Sequence, residues 1–222
     1  MDKFALGQNN SYVVKKVHKK QFEGSDKLQI TGDEDGESGS IRIIDNTTIS
    51  FNAPIDEESS DEFIQTLFLM RNSLKKVAVD YPGYNPRITV LLSTSGGSVY
   101  DALRMHDVIL GSDLPVDMYA SGLVASAGIF LLVSGSRRYS FPYASFLYHE
   151  VSGGFSGNKS KLRDYIDHTE KLVGSIEDLI EKRTNLSGEQ LKEMSKKEYW
   201  FDAVQALELG FVDKIVTEIE HI

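Results

Sequence analysis

From about residue 46 onward, the hydrophobic positions of this chain switch repeatedly between the two-residue period of a strand and the 3.6-residue period of a helix. Residues 47–52 are β-branched and aromatic and stop before Pro54, which predicts a strand. Ser59 and Glu62 have capping-box spacing ahead of Phe63, Ile64, Leu67, Phe68, Leu74 and Val77, which recur at helical intervals. The continuous apolar run 88–92 fits a strand covered on both faces, and Val99, Ala102, Leu103, His106, Ile109 and Leu110 mark the helix after it. A strand over 116–120 is followed by a stretch, 125–133, that is apolar almost all round, so a helix there must be buried. Short strands are expected near 138–141 and 146–149. The longest periodic stretch, about 160–183, places Leu162, Tyr165, Ile166, Thr169, Leu172, Val173, Ile176, Leu179 and Ile180 on one stripe that needs a partner. Ser187 with Gln190, and Asp202 with Gln205, open two short helices, the second ending at Gly210 before a strand-like segment, 211–216. This alternation predicts an α/β domain with a largely parallel sheet.

Residues 1–45 read differently. Lys15, Lys16, His18, Lys19 and Lys20 are followed by Asp33, Glu34, Asp35 and Glu37, with Gly24, Gly32, Gly36 and Gly39 between and after them. Such segregated charge predicts a flexible or hairpin-like arm, within which 11–17 and 28–31 could form short strands. The remainder, 46–222, is expected to be one domain.

Composition narrows the chemistry. At 41% hydrophobic and 26% charged the chain can build a core. It has no Cys, which excludes disulfides, Cys-ligated zinc, iron–sulfur clusters and thiol nucleophiles. Twenty-four basic against 33 acidic residues, net −9, argue against a general grip on nucleic acid or anionic membrane. The first seven residues lack the apolar core of a signal peptide, and no later run reaches the roughly 18 apolar residues of a membrane span. A soluble, cytoplasmic protein is expected.

Ser126 is the first candidate for chemistry. It follows a predicted strand and enters the buried helix within Gly122-Leu123-Val124-Ala125-Ser126-Ala127-Gly128, where backbone N–H groups can stabilise an oxyanion and small neighbours admit a substrate backbone. An ordinary N-cap serine explains the same residue. The nucleophile elbow of α/β-hydrolases is disfavoured, because Val124 stands where its first glycine belongs. Gly96 and Gly97 join a buried strand to a helix, yet they lack the spacing of a dinucleotide fingerprint, and there is no phosphate loop. His149 ends a predicted strand ahead of Glu150-Val151-Ser152-Gly153-Gly154, a position suited to a general base. His106 falls on an apolar helix face, His168 points away from its stripe, and His18 and His221 sit near the ends. No histidine pair has metal-ligand spacing. Two acids could orient His149: Glu198, in the turn Lys196-Lys197-Glu198-Tyr199-Trp200, and Asp202, which also serves as a helix N-cap.

Over roughly 47–216 these segments resemble the Clp protease proteolytic subunit, ClpP. The resemblance rests on Leu92-Ser93-Thr94-Ser95-Gly96-Gly97-Ser98-Val99, Ala125-Ser126-Ala127-Gly128-Ile129-Phe130-Leu131-Leu132, Leu147-Tyr148-His149-Glu150 and Leu209-Gly210-Phe211-Val212-Asp213, in that order. It implies a ClpP/crotonase-like fold of repeated β-β-α and βαβ units with a protruding handle helix, the handle region covering about 150–186. It implies Ser126 as nucleophile, His149 as base, the backbone amides of Gly97 and Ala127 as oxyanion hole, and Val151, Ser152, Gly153 and Gly154 in a strand that aligns the substrate. The usual Asp of the triad aligns with Glu198, which keeps the carboxylate on a longer stem; Asp202 is the fallback acid. Ser93-Thr94-Ser95-Gly96-Gly97 departs from the family's Asn-Ser-Pro-Gly-Gly, and His149-Glu150-Val151 from its His-Gln-Pro.

The function implied is a serine endopeptidase that cuts peptides or unfolded proteins through an acyl-enzyme, with no metal or organic cofactor. The implied assembly is a homo-oligomeric double ring, usually two heptamers, served by a separate AAA+ unfoldase, with no nucleic-acid or membrane partner. The 1–45 arm lies outside the resemblance and could be an axial or gating segment. Three alternatives stay open: a phage-type maturation protease independent of an unfoldase, a crotonase-like acyl-CoA enzyme, and a non-catalytic ring subunit.

Overall fold

The computed structural model describes residues 41–154 and 156–219. The arm's expected strands at 11–17 and 28–31, together with His18 and His221, lie outside the described residues.

In chain order the elements are β1 (Ile41–Ile43), β2 (Thr48–Asn52), α1 (Glu57–Asp80), β3 (Ile88–Thr94), α2 (Val99–Leu110), β4 (Val116–Ala125), α3 (Gly128–Ser134), β5 (Arg138–Ser140), β6 (Ser145–Tyr148), α4 (Lys159–Glu181), α5 (Gly188–Ser195), β7 (Tyr199–Asp202), α6 (Ala203–Glu208) and β8 (Lys214–Ile215). The sheet runs β1-β2-β3-β4-β5-β8, and β6 also pairs with β4 and carries β7 at its other side. Among the described residues only β1–β2 and β6–β7 are antiparallel; the other pairings are parallel, as strand–helix alternation requires. The fold is the mixed α/β arrangement expected.

Several boundaries differ for physical reasons. The helix expected behind Ser59 begins a turn earlier, because Asp56 is its N-cap: the Asp56 carboxylate accepts from Ser59 N at 2.8 Å, and Ser59 Oγ accepts from Asp56 N at 3.0 Å. Its buried face is Phe63, Ile64, Leu67, Met70 and Leu74, while Phe68 stays 40% exposed under the Arg71 guanidinium. Phe63 meets β2 through an edge contact with Phe51, ring centroids 5.8 Å apart. β1 extends the sheet into residues read as arm, pairing Ile41 with Phe51. The segment 211–216 yields only the two-residue β8, because Phe211 turns inward onto Phe201 at 5.1 Å instead of extending a strand. The capping boxes at Ser187/Gln190 and Asp202/Gln205 form as expected.

The core lies between the sheet and the helices α1, α2 and α3. Every residue of α3 is buried, and each large aliphatic there contributes about 1.5–3 kcal/mol on leaving water. His106 is buried on α2, as its position on an apolar face predicts. At the start of the central strands β3 and β4 the Arg87 guanidinium grips the buried Asp117 carboxylate through Nε at 2.6 Å and a second nitrogen at 2.5 Å. α4 is different: among its residues only Ile176, Glu177 and Ile180 are buried, and Leu162 and Ile166 on its stripe remain open. Much of a long amphipathic helix therefore stands without a partner among the described residues. His168 on this helix shares a hydrogen bond between Nε2 and the Tyr100 hydroxyl, 2.9 Å apart.

Candidate active site

The site grows out of one long strand that changes neighbours. The first half of β4 pairs with β5 through 118–120, and its second half pairs with β6 through 123–125. Against β3, Leu92 faces Ala120 but Thr94 faces Val124, so two extra residues are looped into β4 near Gly122, whose φ is +68°. A bulge of this kind bends a strand and re-aims the residues beyond it. The sequence signal for β4 stops at Ala120 because Ser121 and Gly122 interrupt it, yet the strand continues to Ala125.

Directly after β4 comes Ser126, with φ of +54°, the one non-glycine residue with a positive φ among those described. Its N–H donates to the Leu147 carbonyl at 2.8 Å, which holds the turn against β6. A serine in the left-handed region is strained and is kept there only by its surroundings. The turn is therefore a sharp, strained strand-to-helix connection, formed without the glycine at position 124 that the nucleophile-elbow motif requires.

Gly96 and Gly97 abut this turn. The Ile55 N–H donates to the Gly96 carbonyl at 2.9 Å, and the Ser98 N–H donates to the Ile55 carbonyl at 2.8 Å. A Cβ on Gly96 would lie 2.7 Å from Ser126 Cβ and 3.0 Å from Ala127 N; a Cβ on Gly97 would lie 2.1 Å from the Ile55 carbonyl oxygen. Only glycine fits either position. Among the described residues, no protein acceptor takes the N–H of Gly97 or of Ala127, so both remain available to a ligand beside Ser126.

His149 arrives on the neighbouring strand. β6 lies parallel to β4 with Ala125 opposite Leu147, so Ser126 and His149 both leave the same ends of adjacent strands. The ring nitrogen Nδ1 is 2.7 Å from the Glu150 carbonyl oxygen. A carbonyl can only accept, so Nδ1 carries the hydrogen of this contact, which in the uncharged form of the ring puts the lone pair on Nε2. Among the described residues no hydrogen bond joins His149 to Ser126, Glu198 or Asp202.

Glu198 immediately precedes β7 and Asp202 ends it; β7 begins inside 196–200, where the sequence suggests a turn. Antiparallel pairing sets Tyr148 opposite Tyr199, so the next step along each chain brings His149 level with Glu198. Asp202 is opposite Ser145 instead, about 13 Å further along at the usual strand rise. Glu198 is exposed and accepts from Trp200 Nε1 at 3.4 Å. Asp202 caps α6, accepting from Gln205 N at 2.9 Å. The segment Val151-Ser152-Gly153-Gly154 leaves His149 without pairing in the sheet; Val151 packs on the core and the next three residues are exposed. Across it, the Tyr165 hydroxyl of α4 is 3.0 Å from where a Cβ on Gly153 would lie.

Beside His149 opens a cavity of about 230 Å³, walled by β6, the chain after it, α3, α4 and α5. Burial first, and the Glu177 charge second, push the Tyr148 hydroxyl there up to about 12. Glu177, also on the cavity wall, is not among the residues that the sequence singles out by motif. A signal for it exists, since it occupies the same helical stripe as Val173, Ile176 and Ile180, where a charge is out of place. Among the described residues no three His, Asp or Glu side chains gather as a metal site, and no helix is long and apolar enough to cross a membrane.

Comparison with known proteins shows the family. The family model described as Clp protease matches residues 33–219. The ATP-dependent Clp protease proteolytic subunit 2 of Corynebacterium efficiens is 28% identical over 202 residues, 88% of this chain and 97% of that one. A protein of the same description from Rhodococcus jostii is 33% identical over 132 residues, 59% of this chain and 68% of its own. Among solved structures, a point mutant of ClpP1 from Listeria monocytogenes superposes with a TM-score of 0.68 at 22% identity, covering 78% of this chain and 92% of that one. The family match takes in every described element, and the chain belongs to the Clp protease family of serine peptidases.

Proposed function

We infer that this chain is an endopeptidase subunit in which Ser126 is the nucleophile and His149 the general base. The observation that carries this reading is the strained Ser126 turn, held at the end of β4 beside the strand that ends in His149. Ser126 Oγ adds to the substrate carbonyl while its proton passes to His149 Nε2. The amides of Gly97 and Ala127 receive the negative charge that develops on the carbonyl oxygen. Collapse expels the amine, protonated by the same imidazolium, and leaves an ester on Ser126. Water, deprotonated by His149, then releases the acid and restores the serine. Extended substrate backbone lies along Val151, Ser152, Gly153 and Gly154.

Glu198 is the orienting acid in this reading. The strand register supports it by bringing Glu198 level with His149. In the single chain the Glu150 carbonyl occupies Nδ1, so forming the triad requires the imidazole to exchange that carbonyl for the Glu198 carboxylate. Assembly supplies the setting: the open stripe of α4 is covered when two heptameric rings stack, and the sites face an enclosed chamber in the cytoplasm. Relatives are named ATP-dependent, and this chain has no phosphate loop. A separate AAA+ unfoldase therefore delivers unfolded protein.

A second reading is a non-catalytic ring subunit, favoured by the engagement of His149 Nδ1 with its own loop. Intact-mass analysis after fluorophosphonate treatment separates the two. The protease reading expects one adduct on Ser126, absent in Ser126→Ala. An assembled sample that takes no adduct supports the non-catalytic subunit.

A further inference from the structure

Along the inward stripe of α4, one charged residue lies between two isoleucines. Ile176 and Ile180 are buried, and so is Glu177, at 7% exposure. Among the described residues no donor hydrogen-bonds its carboxylate. The nearest cation is Lys192 Nζ on α5, 3.9 Å away at the end of a side chain that is 70% exposed. Burial holds the Glu177 carboxyl above its ordinary value, with Lys192 opposing and Asp178 reinforcing the shift. A buried carboxylate in this state is costly until donors reach it.

The carboxylate is not sealed in, because Glu177 lines the same cavity of about 230 Å³ as His149. Phe130, Val173 and Ile176 supply apolar wall there, and Phe130 stands one helical turn beyond Ser126. The cavity is smaller than the roughly 300–1,000 Å³ typical of a small-molecule site, which suits a single side chain.

We propose that this cavity receives the substrate side chain on the acyl side of the scissile bond, and that Glu177 makes lysine or arginine the favoured guest. The inference rests on Ser126 being the nucleophile. The aliphatic stem of such a guest lies against Phe130, Val173 and Ile176, and its cationic head brings to Glu177 the donors that the fold withholds. Lys192 yields to it by swinging into solvent.

The test uses the full-length protein and three serine traps read by intact mass: a plain fluorophosphonate, and aryl phosphonates carrying either a lysine-like aminobutyl or a leucine-like isobutyl side chain. The lysine analogue is expected to modify Ser126 about tenfold faster than the leucine analogue, the size of a charge-assisted contact. Glu177→Gln is expected to erase that ratio, and Lys192→Ala to widen it, each rate being divided by the same variant's own rate with the plain trap. Equal rates or a leucine preference in the wild type, while the plain trap labels Ser126, overturn the pocket assignment alone. Failure of all three traps overturns the Ser126 reading and this inference with it.

Discussion

Gly96 and Ser126 touch so closely that any side chain at the first would collide with the second: an added Cβ would lie 2.7 Å from Ser126 Cβ and 2.6 Å from the Ala125 carbonyl oxygen. The first of two adjacent glycines thus holds the turn after the neighbouring strand in its strained form. Gly96→Ala must displace backbone and also accept a φ of +86°. We expect it to lower stability by at least about 1–3 kcal/mol and to abolish fluorophosphonate labelling of Ser126. Urea unfolding and intact mass check the two effects, and unchanged labelling would show that the contact does not shape the nucleophile.

Ser126 itself should be more stable as glycine. Its φ of +54° costs a non-glycine residue energy that glycine does not incur. Ser126→Gly is therefore expected to raise stability by about 1 kcal/mol while eliminating turnover, and Ser126→Ala to eliminate turnover without that gain. Melting curves of the two variants side by side provide the measurement.

The acids at the two ends of β7 should separate by phenotype. Asp202→Ala removes an N-cap and is expected to cost about 1 kcal/mol of stability with turnover retained. Glu198→Ala is expected to leave stability nearly unchanged and to cut peptide turnover on the order of 10³-fold or more, as loss of an orienting acid does. Retained turnover in Glu198→Ala would instead give the orienting role to the Glu150 carbonyl.

Glu177 makes stability depend on pH in an unusual direction. Its folded value is raised above 4.5, chiefly by burial, so the fold favours the protonated carboxyl. Its contribution is fully present below the unfolded value and is lost as pH rises through the folded one. Glu177→Gln is neutral at every pH. Its melting temperature should exceed the wild type's at pH 7, and the difference should vanish as pH falls below the ordinary carboxylate range. A difference constant with pH would remove the ionisation from the explanation.

Much of the architecture is legible in the chain because burial leaves a periodic trace. The run 88–92, the inward positions Ala102, His106 and Ile109 of α2 and the two late capping boxes all appear where hydrophobic spacing and cap chemistry place them, while Leu110 at the end of α2 stays exposed. The first helix shows the limit of such reading. Ser59 and Glu62 satisfy the cap pattern as well as Asp56 and Ser59 do, and the choice follows from Ser59 Oγ also donating to the Pro54 carbonyl at 2.9 Å. β7 escapes a reading by pattern because Trp200 and Asp202 face solvent and only Phe201 is buried, which leaves too short an alternation to read.

By itself the sequence determined an α/β order of elements, a serine at a strand–helix turn and a histidine at a strand end, since residue type and spacing carry that information locally. It also determined what is absent, thiols above all. The tertiary structure decided the relations between strands distant in sequence: the two-residue bulge that bends β4 from β5 to β6, the register that brings Glu198 rather than Asp202 level with His149, and the carboxylate of Glu177 turned into a cavity beside them. These depend on which edges pair and in what register, a choice made by the packing of the whole sheet and only weakly encoded in any one segment.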